Sequence, residues 1–255
     1  MDRYLEGKVA LVTGASRGLG RGIAEEFSAR GALVAINYAS NDAAAADTLA
    51  AIEANGGQAF LLKGAQGSYE AAVDLAARLE TELLARTGSG EFDILVNNAG
   101  GGPVANIDKT TPEIFEKVMS DNMRAPFYVT KLLKDRIRDG GRVINVGSLG
   151  ARTAVPDYVV YAMSKRALEV FTVVLAKDLG PRNITANCIN PGLIESDANV
   201  HVRADDKIRA YLEQTTPMRR FGVPSDFAGV AASIASPQMG YVTGQVIEVA
   251  GGMSL

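Results

Sequence analysis

The chain has 255 residues, 47% of them apolar and 22% charged, with a net charge of −3. That balance describes a globular protein with a buried core and argues against nucleic acid as a partner. The one cysteine, Cys188, leaves no intrachain disulfide; the charged start MDRYLEGKVALV does not read as a signal peptide, and no apolar run approaches the ~20 residues of a membrane span, so a cytoplasmic location is expected.

Lys8–Thr13 reads as a strand, and Arg21–Arg30 as a helix with Ile23, Ala24 and Phe27 on one side and Gly31 as its stop. Ala32–Asn37 is a second strand, Asp42–Ala54 an Ala-rich helix closed by Asn55-Gly56-Gly57, and Gln58–Lys63 a third strand. Tyr69–Arg86 carries Ala72, Leu75, Ala76, Leu79 and Leu83 at helical spacing, and Phe92–Val96 is a fourth strand. Thr111 and Pro112 are the N-cap and first-turn proline of a helix expected to run to about Arg138, with a break near Pro126. Asp139-Gly140-Gly141 is expected to turn into a strand at Arg142–Val146. A helix over Tyr158–Leu179, a strand at Ile184–Ile189, a helix at Ser225–Ala235 and a strand at Val246–Val249 complete the series.

Such repetition implies parallel pairing with right-handed crossovers. The expected fold is a single α/β domain over residues 1–255: a doubly wound parallel sheet of Rossmann type with about seven strands. The stretch at about 195–222 mixes charge with His201 and Pro217, lacks clear periodicity, and follows a strand end where ligands bind. It is read as a substrate lid, with His201 and Asp205-Asp206 as solvated groups and Cys188 as a buried, inert thiol.

Two constellations carry chemistry. The first strand runs into Thr13-Gly14-Ala15-Ser16-Arg17-Gly18-Leu19-Gly20, and a helix follows. Glycines let the backbone approach a pyrophosphate, and the helix start offers free N–H groups with partial positive charge. The second strand ends at Asn37-Tyr38-Ala39-Ser40 with no carboxylate for a ribose hydroxyl. Arg17 inside the loop is placed for a 2′-phosphate, with Ser40 and Asn41 as neutral donors, so NADP(H) is expected over NAD. The second constellation is Ser148 at a strand end, Tyr161 thirteen residues on, and Lys165 four beyond it. Residues four apart share a helix face, and an ammonium near a phenol is expected to lower its pKa toward a useful range. Ser148 would hydrogen-bond a substrate oxygen as charge develops. No residue cluster has metal-ligand spacing, so no metal is expected.

With these motifs in order, and Asn97-Asn98-Ala99-Gly100 after the fourth strand, the chain resembles the short-chain dehydrogenase/reductase family from Lys8 to Gly252. The region of the glycine loop and second strand resembles 3-oxoacyl carrier-protein reductases and related ketoreductases, and a secondary-metabolite ketoreductase is equally compatible. The resemblance implies Tyr161 as acid-base, Lys165 on the nicotinamide ribose and tuning Tyr161, Ser148 on the substrate oxygen, and Asn122 holding a water beside Lys165. It places Asn98, Ala99 and Gly100 on the adenosine side, and Pro191, Gly192 and Ile194 at the nicotinamide amide. Ser196 stands for the family's threonine there, and Gln66 stands in place of an adenine-contacting Asp. A small carbonyl or acyl-thioester substrate and a homotetramer are implied as well. Tyr158, seven residues before Lys165, matches the Tyr-x6-Lys spacing of enoyl reductases. The offset of Tyr161 from Ser148, Gly18 in the loop and the intact Asn-Asn-Ala-Gly favour the ketoreductase assignment, with Tyr158 lining the substrate pocket. An alcohol dehydrogenase, or a silent NADP-sensing protein, is the remaining alternative.

Overall fold

The computed structural model describes residues 2–153, 155–196 and 199–253, and the side chain of His201 lies outside what is described. Among these residues one sheet has seven strands in the order β3-β2-β1-β4-β5-β6-β7, and every pair is parallel. The strands are β1 (Val9–Val12), β2 (Leu33–Tyr38), β3 (Gln58–Lys63), β4 (Phe92–Asn97), β5 (Ile137–Val146), β6 (Thr185–Pro191) and β7 (Val246–Val249). Around them lie α1 (Gly18–Ala29), α2 (Asp42–Ala54), α3 (Tyr69–Thr87), α4 (Pro112–Met119), α5 (Ala125–Leu133), α6 (Val159–Leu179), α7 (Val200–Arg203), α8 (Asp206–Thr215) and α9 (Pro224–Ala235).

Alternation along the strands builds two cores. Ala10 and Val12 of β1, with Val34 and Ile36 of β2, meet Ile23 and Phe27 of α1 and Phe227 and Ala231 of α9. Val9, Leu11 and Ala35 point the other way, onto Leu75, Leu79 and Leu83 of α3, Val129 and Leu133 of α5, and Leu175 and Leu179 of α6. Burial on both faces explains why the strands read as continuous apolar runs. The chain winds outward from β1 to β3, then crosses back so that β4 pairs with the other side of β1. That reversal opens a crevice at the C-terminal ends of β1 and β4, where ligands of such sheets bind.

Four details differ from the sequence expectations. α1 begins at Gly18, so the last glycines of the loop form its first turn. The long helix expected to about Arg138 ends at Leu133, and its middle, Ser120–Arg124, is a π-helical turn in which Ala125 N–H reaches Ser120 O. Pro126 has no N–H for the carbonyl four residues back, that of Asn122, and one wider turn accommodates it. β5 begins at Ile137, and the expected glycine turn is an excursion inside it: the register jumps from Phe92↔Ile137 to Ile94↔Arg142. Asp93, buried at the excursion, accepts from Val9 N–H at 2.9 Å and pairs with Arg138 at 2.9 Å. Residues 195–222 contain α7 and α8 rather than irregular chain, and Asp205 is the N-cap of α8, accepting from Lys207 N–H and Ile208 N–H. The ends of this excursion are tied by an Ile194↔Gly222 bridge.

Candidate active site

The glycine loop lies at the crevice. Arg17 is the N-cap of α1 with extended backbone, no side chain caps the helix, and no acid lies in its first turn. Its leading N–H groups therefore keep their capacity for an anion. Gly14 holds a left-handed φ of 64°, and a Cβ there would lie 2.9 Å from Ala99 Cα. A Cβ on Gly20 would collide with the Gly14 carbonyl oxygen and Asn98 Nδ2. The loop is braced on three sides: Ala15 N–H donates to Asn37 O at 2.8 Å, Thr48 Oγ1 to Ser16 O at 3.0 Å, and Asn98 Nδ2 to Thr13 O at 2.8 Å. Thr13 Oγ1 in turn accepts from the N–H groups of Asn98 and Ala99 at 2.9 and 3.0 Å. This cradle, walled by glycines at contact distance and facing an uncapped helix start, fits a dinucleotide pyrophosphate.

On the adenosine side Arg17 and Ser40 are exposed at the ends of neighbouring strands. Asn37, Tyr38 and Gln66, the other residues expected on the cofactor, are buried and hydrogen-bonded within the fold. Asn37 Nδ2 donates to Leu62 O at 3.1 Å and Gly64 O at 3.0 Å, while its Oδ1 accepts from Gln66 Nε2. The Tyr38 hydroxyl donates to Asp42 Oδ1 at 2.9 Å. These polar ends hold the β2–β3 edge together, and Asn37 reaches the glycine loop through its carbonyl instead of its amide.

Asn122 sits in the π-helical turn, fully buried. Its Oδ1 accepts from Gly101 N–H at 2.9 Å, and its Nδ2 donates to Gly101 O at 2.7 Å and Val118 O at 2.8 Å. The side chain thus clamps the segment after β4, and any water beside Lys165 would have to be held by other atoms of this turn. A Cβ on Gly100 would lie 2.7 Å from Asn122 Oδ1 and 3.2 Å from Lys165 Nζ. The three residues therefore meet in one place.

Ser148 follows β5, and its Oγ accepts from Gly150 N–H at 3.1 Å. Tyr161 and Lys165 lie on successive turns of α6. Lys165 Nζ donates to Val146 O at 2.8 Å and stands 5.8 Å from the centre of the Tyr161 ring. Burial pulls the ammonium down from 10.5 to about 8. The phenol behaves unlike the expectation. Burial raises its pKa, and the Ser148 hydroxyl, within hydrogen-bonding reach, opposes that rise; Lys165 contributes nothing resolved. At 5.8 Å from ring centre to Nζ, with the cation already bonded to a carbonyl, desolvation wins in the chain alone.

Tyr158 is the N-cap of α6, with φ −112° and ψ 20°. It stands just before the helix, its carbonyl accepting the first helical bond from Ala162 N–H at 2.7 Å. It is 39% exposed, bridges Ala105, and sets its ring edge-on to that of Tyr161, centres 5.9 Å apart. Beyond β6, Gly192 N–H donates to Val249 O at 3.1 Å and Ile194 N–H to Gly192 O at 3.0 Å, while Ser196 N–H donates to Asn199 Oδ1 at 3.1 Å. This segment carries Pro191 across the end of the sheet beside β7. Cys188 is fully buried, and its thiol is pushed up to about 12. Among the described residues no group of His, Cys, Asp or Glu could hold a metal ion, and no helix is long and apolar enough to cross a membrane.

Thr13, Thr48, Asn190 and Glu169 were not marked by the sequence reading. The first two support the loop through main-chain contacts. The last two form a buried pair at 2.7 Å next to Ser148.

A family model described as enoyl-(acyl carrier protein) reductase matches residues 14–254. Tetrahydroxynaphthalene reductase of Pyricularia oryzae is 36% identical over 260 residues, covering 97% of this chain and 90% of its own length. The crystal structure of the angucycline C-6 ketoreductase LanV with bound NADP superposes with a TM-score of 0.92 at 40% identity, covering 98% of this chain and 96% of that one. A short-chain dehydrogenase/reductase from Serratia marcescens superposes with a TM-score of 0.90 at 33% identity, covering 98% and 99%.

Proposed function

Since the chain belongs to the short-chain dehydrogenase/reductase family, we propose that it reduces an aromatic, polyketide-type ketone to a secondary alcohol with NADPH, and that Tyr161 supplies the proton. The observation that carries this reading is the meeting of Tyr161, Ser148 and Lys165 at one strand end, with Lys165 Nζ 5.8 Å from the ring of Tyr161.

NADPH, when bound, supplies the hydride. Gly14, Ser16, Gly18, Leu19 and Gly20 hold its pyrophosphate against the start of α1, and Arg17 with Ser40 takes the 2′-phosphate. Asn98, Ala99 and Gly100 border its adenosine half, while Pro191, Gly192, Ile194 and Ser196 border its carboxamide. Ser148 Oγ donates to the substrate oxygen, which gains charge as the carbon is reduced. Tyr161 delivers its proton to that oxygen. Lys165, one turn along α6 from Tyr161, would hold the nicotinamide ribose. Asn122 keeps the Gly100–Gly101 backbone in place beside Lys165. Residues 195–222, tied at Ile194 and Gly222, serve as the lid.

Aromatic ketones are favoured by the relatives, one named for tetrahydroxynaphthalene and one for an angucycline. Exposed Tyr158, edge-on to Tyr161, offers apolar surface at the site, and Tyr211 and Met218 offer more on the lid. The enoyl description of the family model is met by Tyr158, but that residue stands outside α6 while Tyr161 is the tyrosine beside Ser148. The exposed Phe127, Val170 and Val174 on α5 and α6 support a homotetramer.

NADPH oxidation should be followed with 2-tetralone, acetoacetyl thioester and crotonyl thioester. Turnover of 2-tetralone without turnover of crotonyl thioester is expected. Turnover of crotonyl thioester alone would replace ketone reduction by enoyl reduction.

A further inference from the structure

Ser148 lies just beyond β5, and the grip on it comes from residues with no part in the steps above. Its N–H donates to Asn190 Oδ1 at 3.1 Å, and the Cys188 thiol approaches the same oxygen at 3.4 Å. Asn190 Nδ2 donates to Glu169 Oε1 at 2.7 Å. Asn190 is fully buried and Glu169 is 3% exposed. The other Glu169 oxygen pairs with Arg166. Arg152, 3.7 Å from Glu169 Oε1, reaches on to Glu248 of β7 at 3.0 Å.

One amide therefore joins three parts of the site. It meets the end of β5 at Ser148, α6 one turn beyond Lys165, and the end of β6 that runs straight into Pro191 and Gly192. The packing is tight, because a Cβ on Gly147 would collide with Asn190 Oδ1. The carboxylate also decides which way the amide faces. An ionised carboxylate only accepts, so it requires Nδ2 on its side and leaves Oδ1 for the Ser148 N–H. A flipped amide would set N–H against N–H at Ser148 and oxygen against oxygen at Glu169, both buried and both unfavourable.

We propose that Glu169 and Asn190 are positioning residues for ketone reduction: Glu169 orients the Asn190 amide, and Asn190 fixes Ser148 so that its hydroxyl meets the substrate oxygen. This rests on Ser148 acting as assigned under Proposed function.

The test uses the full chain with NADPH and 2-tetralone as probe. Asn190→Asp sets two carboxylates face to face and should lower kcat about tenfold or more, with the Kd for NADPH, read from its fluorescence, unchanged within about twofold. Combining Asn190→Asp with Glu169→Gln exchanges amide and carboxylate and restores donor to acceptor, so kcat should return to within about threefold of the parent. In a Ser148→Ala background, adding Asn190→Asp should cost nothing further, because the route through Ser148 is already gone. Hydrogen–deuterium exchange of the peptide spanning residue 148 gives a readout independent of turnover. It should be slow in the parent, about tenfold faster in Asn190→Asp, and slow again in the paired exchange.

Unchanged kcat in Asn190→Asp, an equal loss in the Ser148→Ala background, or no recovery in the paired exchange would each overturn the positioning role. If Asn190→Asp alone does not fold, Glu169→Leu, which removes the acceptor for Asn190 Nδ2, replaces it in the single-variant and Ser148→Ala arms, and the paired exchange is kept. If the parent turns over no ketone, the proposed reaction fails, while the exchange arm still judges the grip on Ser148.

Discussion

Replacing Lys165 by Met removes a buried cation whose pKa burial has pulled from 10.5 to about 8. In the unfolded chain the amine titrates near its ordinary ~10.4. Between those values the unfolded chain holds more protons than the folded one, so stability rises with pH at up to ~1.4 kcal/mol per pH unit. Over the whole interval from about 8 to 10.5 the gain would reach about 3 kcal/mol. Cys188 works in the opposite sense. Its thiol is raised from 9.0 to about 12, so above about pH 9 the unfolded chain loses that proton first and stability falls at the same slope. The two effects cancel between about pH 9 and 10.5, and above that only the fall remains. The parent should therefore gain about 1 kcal/mol between about pH 8 and 9 and then level off. Lys165→Met should show no rise and should decline above about pH 9, whereas Cys188→Ala should keep climbing toward about pH 10. Urea unfolding at fixed protein concentration measures this. Far-UV circular dichroism is the probe of choice, because the chain has no tryptophan. Parallel profiles for the parent and Lys165→Met between about pH 8 and 9 would refute the depressed pKa of the buried ammonium.

Tyr161→Phe should lower kcat by about 10²- to 10⁴-fold with 2-tetralone and leave the Kd for NADPH nearly unchanged, whereas Tyr158→Phe should keep most of the turnover; steady-state kinetics and NADPH fluorescence titration check both. Gly20→Ala drives a methyl group into the Gly14 carbonyl and Asn98 Nδ2, and should weaken NADPH binding at least about tenfold by the same titration. Arg17→Ala removes the charge set for a 2′-phosphate and should cut the preference for NADPH over NADH about tenfold or more, read as the ratio of kcat/KM values.

Much of the architecture was legible because a sheet covered on both faces leaves an unambiguous trace. The limits of β2, β3, β4 and β7 fall within a residue or so of the apolar runs. The glycine loop and the Ser148, Tyr161, Lys165 set were legible because each is a local spacing on a strand end or helix face. What escaped was set by contacts with no local period. The π-helical turn at Ser120–Arg124 looks like ordinary helix in sequence, and Pro126 signals only a break. α8 buries no residue, and its one short stripe of Ile208, Tyr211 and Leu212 lies among charged neighbours. The hydrogen bond from Gln66 to Asn37 joins residues 29 apart across a strand edge and leaves no local trace. Glu169 and Asn190 are 21 residues apart and meet only once α6 packs on β6. The pKa of Tyr161 was misjudged for the same reason, since spacing along a helix says nothing of desolvation.

The most direct measurement is the fate of the hydride. NADPH deuterated at either face of C4 should be incubated with 2-tetralone, and the product examined by mass spectrometry and NMR. One of the two labelled forms should place its deuterium on the carbinol carbon, and Tyr161→Phe should all but abolish that transfer while still binding NADPH. No deuterium on the carbinol carbon from either labelled form, or undiminished transfer in Tyr161→Phe, would contradict ketone reduction with Tyr161 as proton donor.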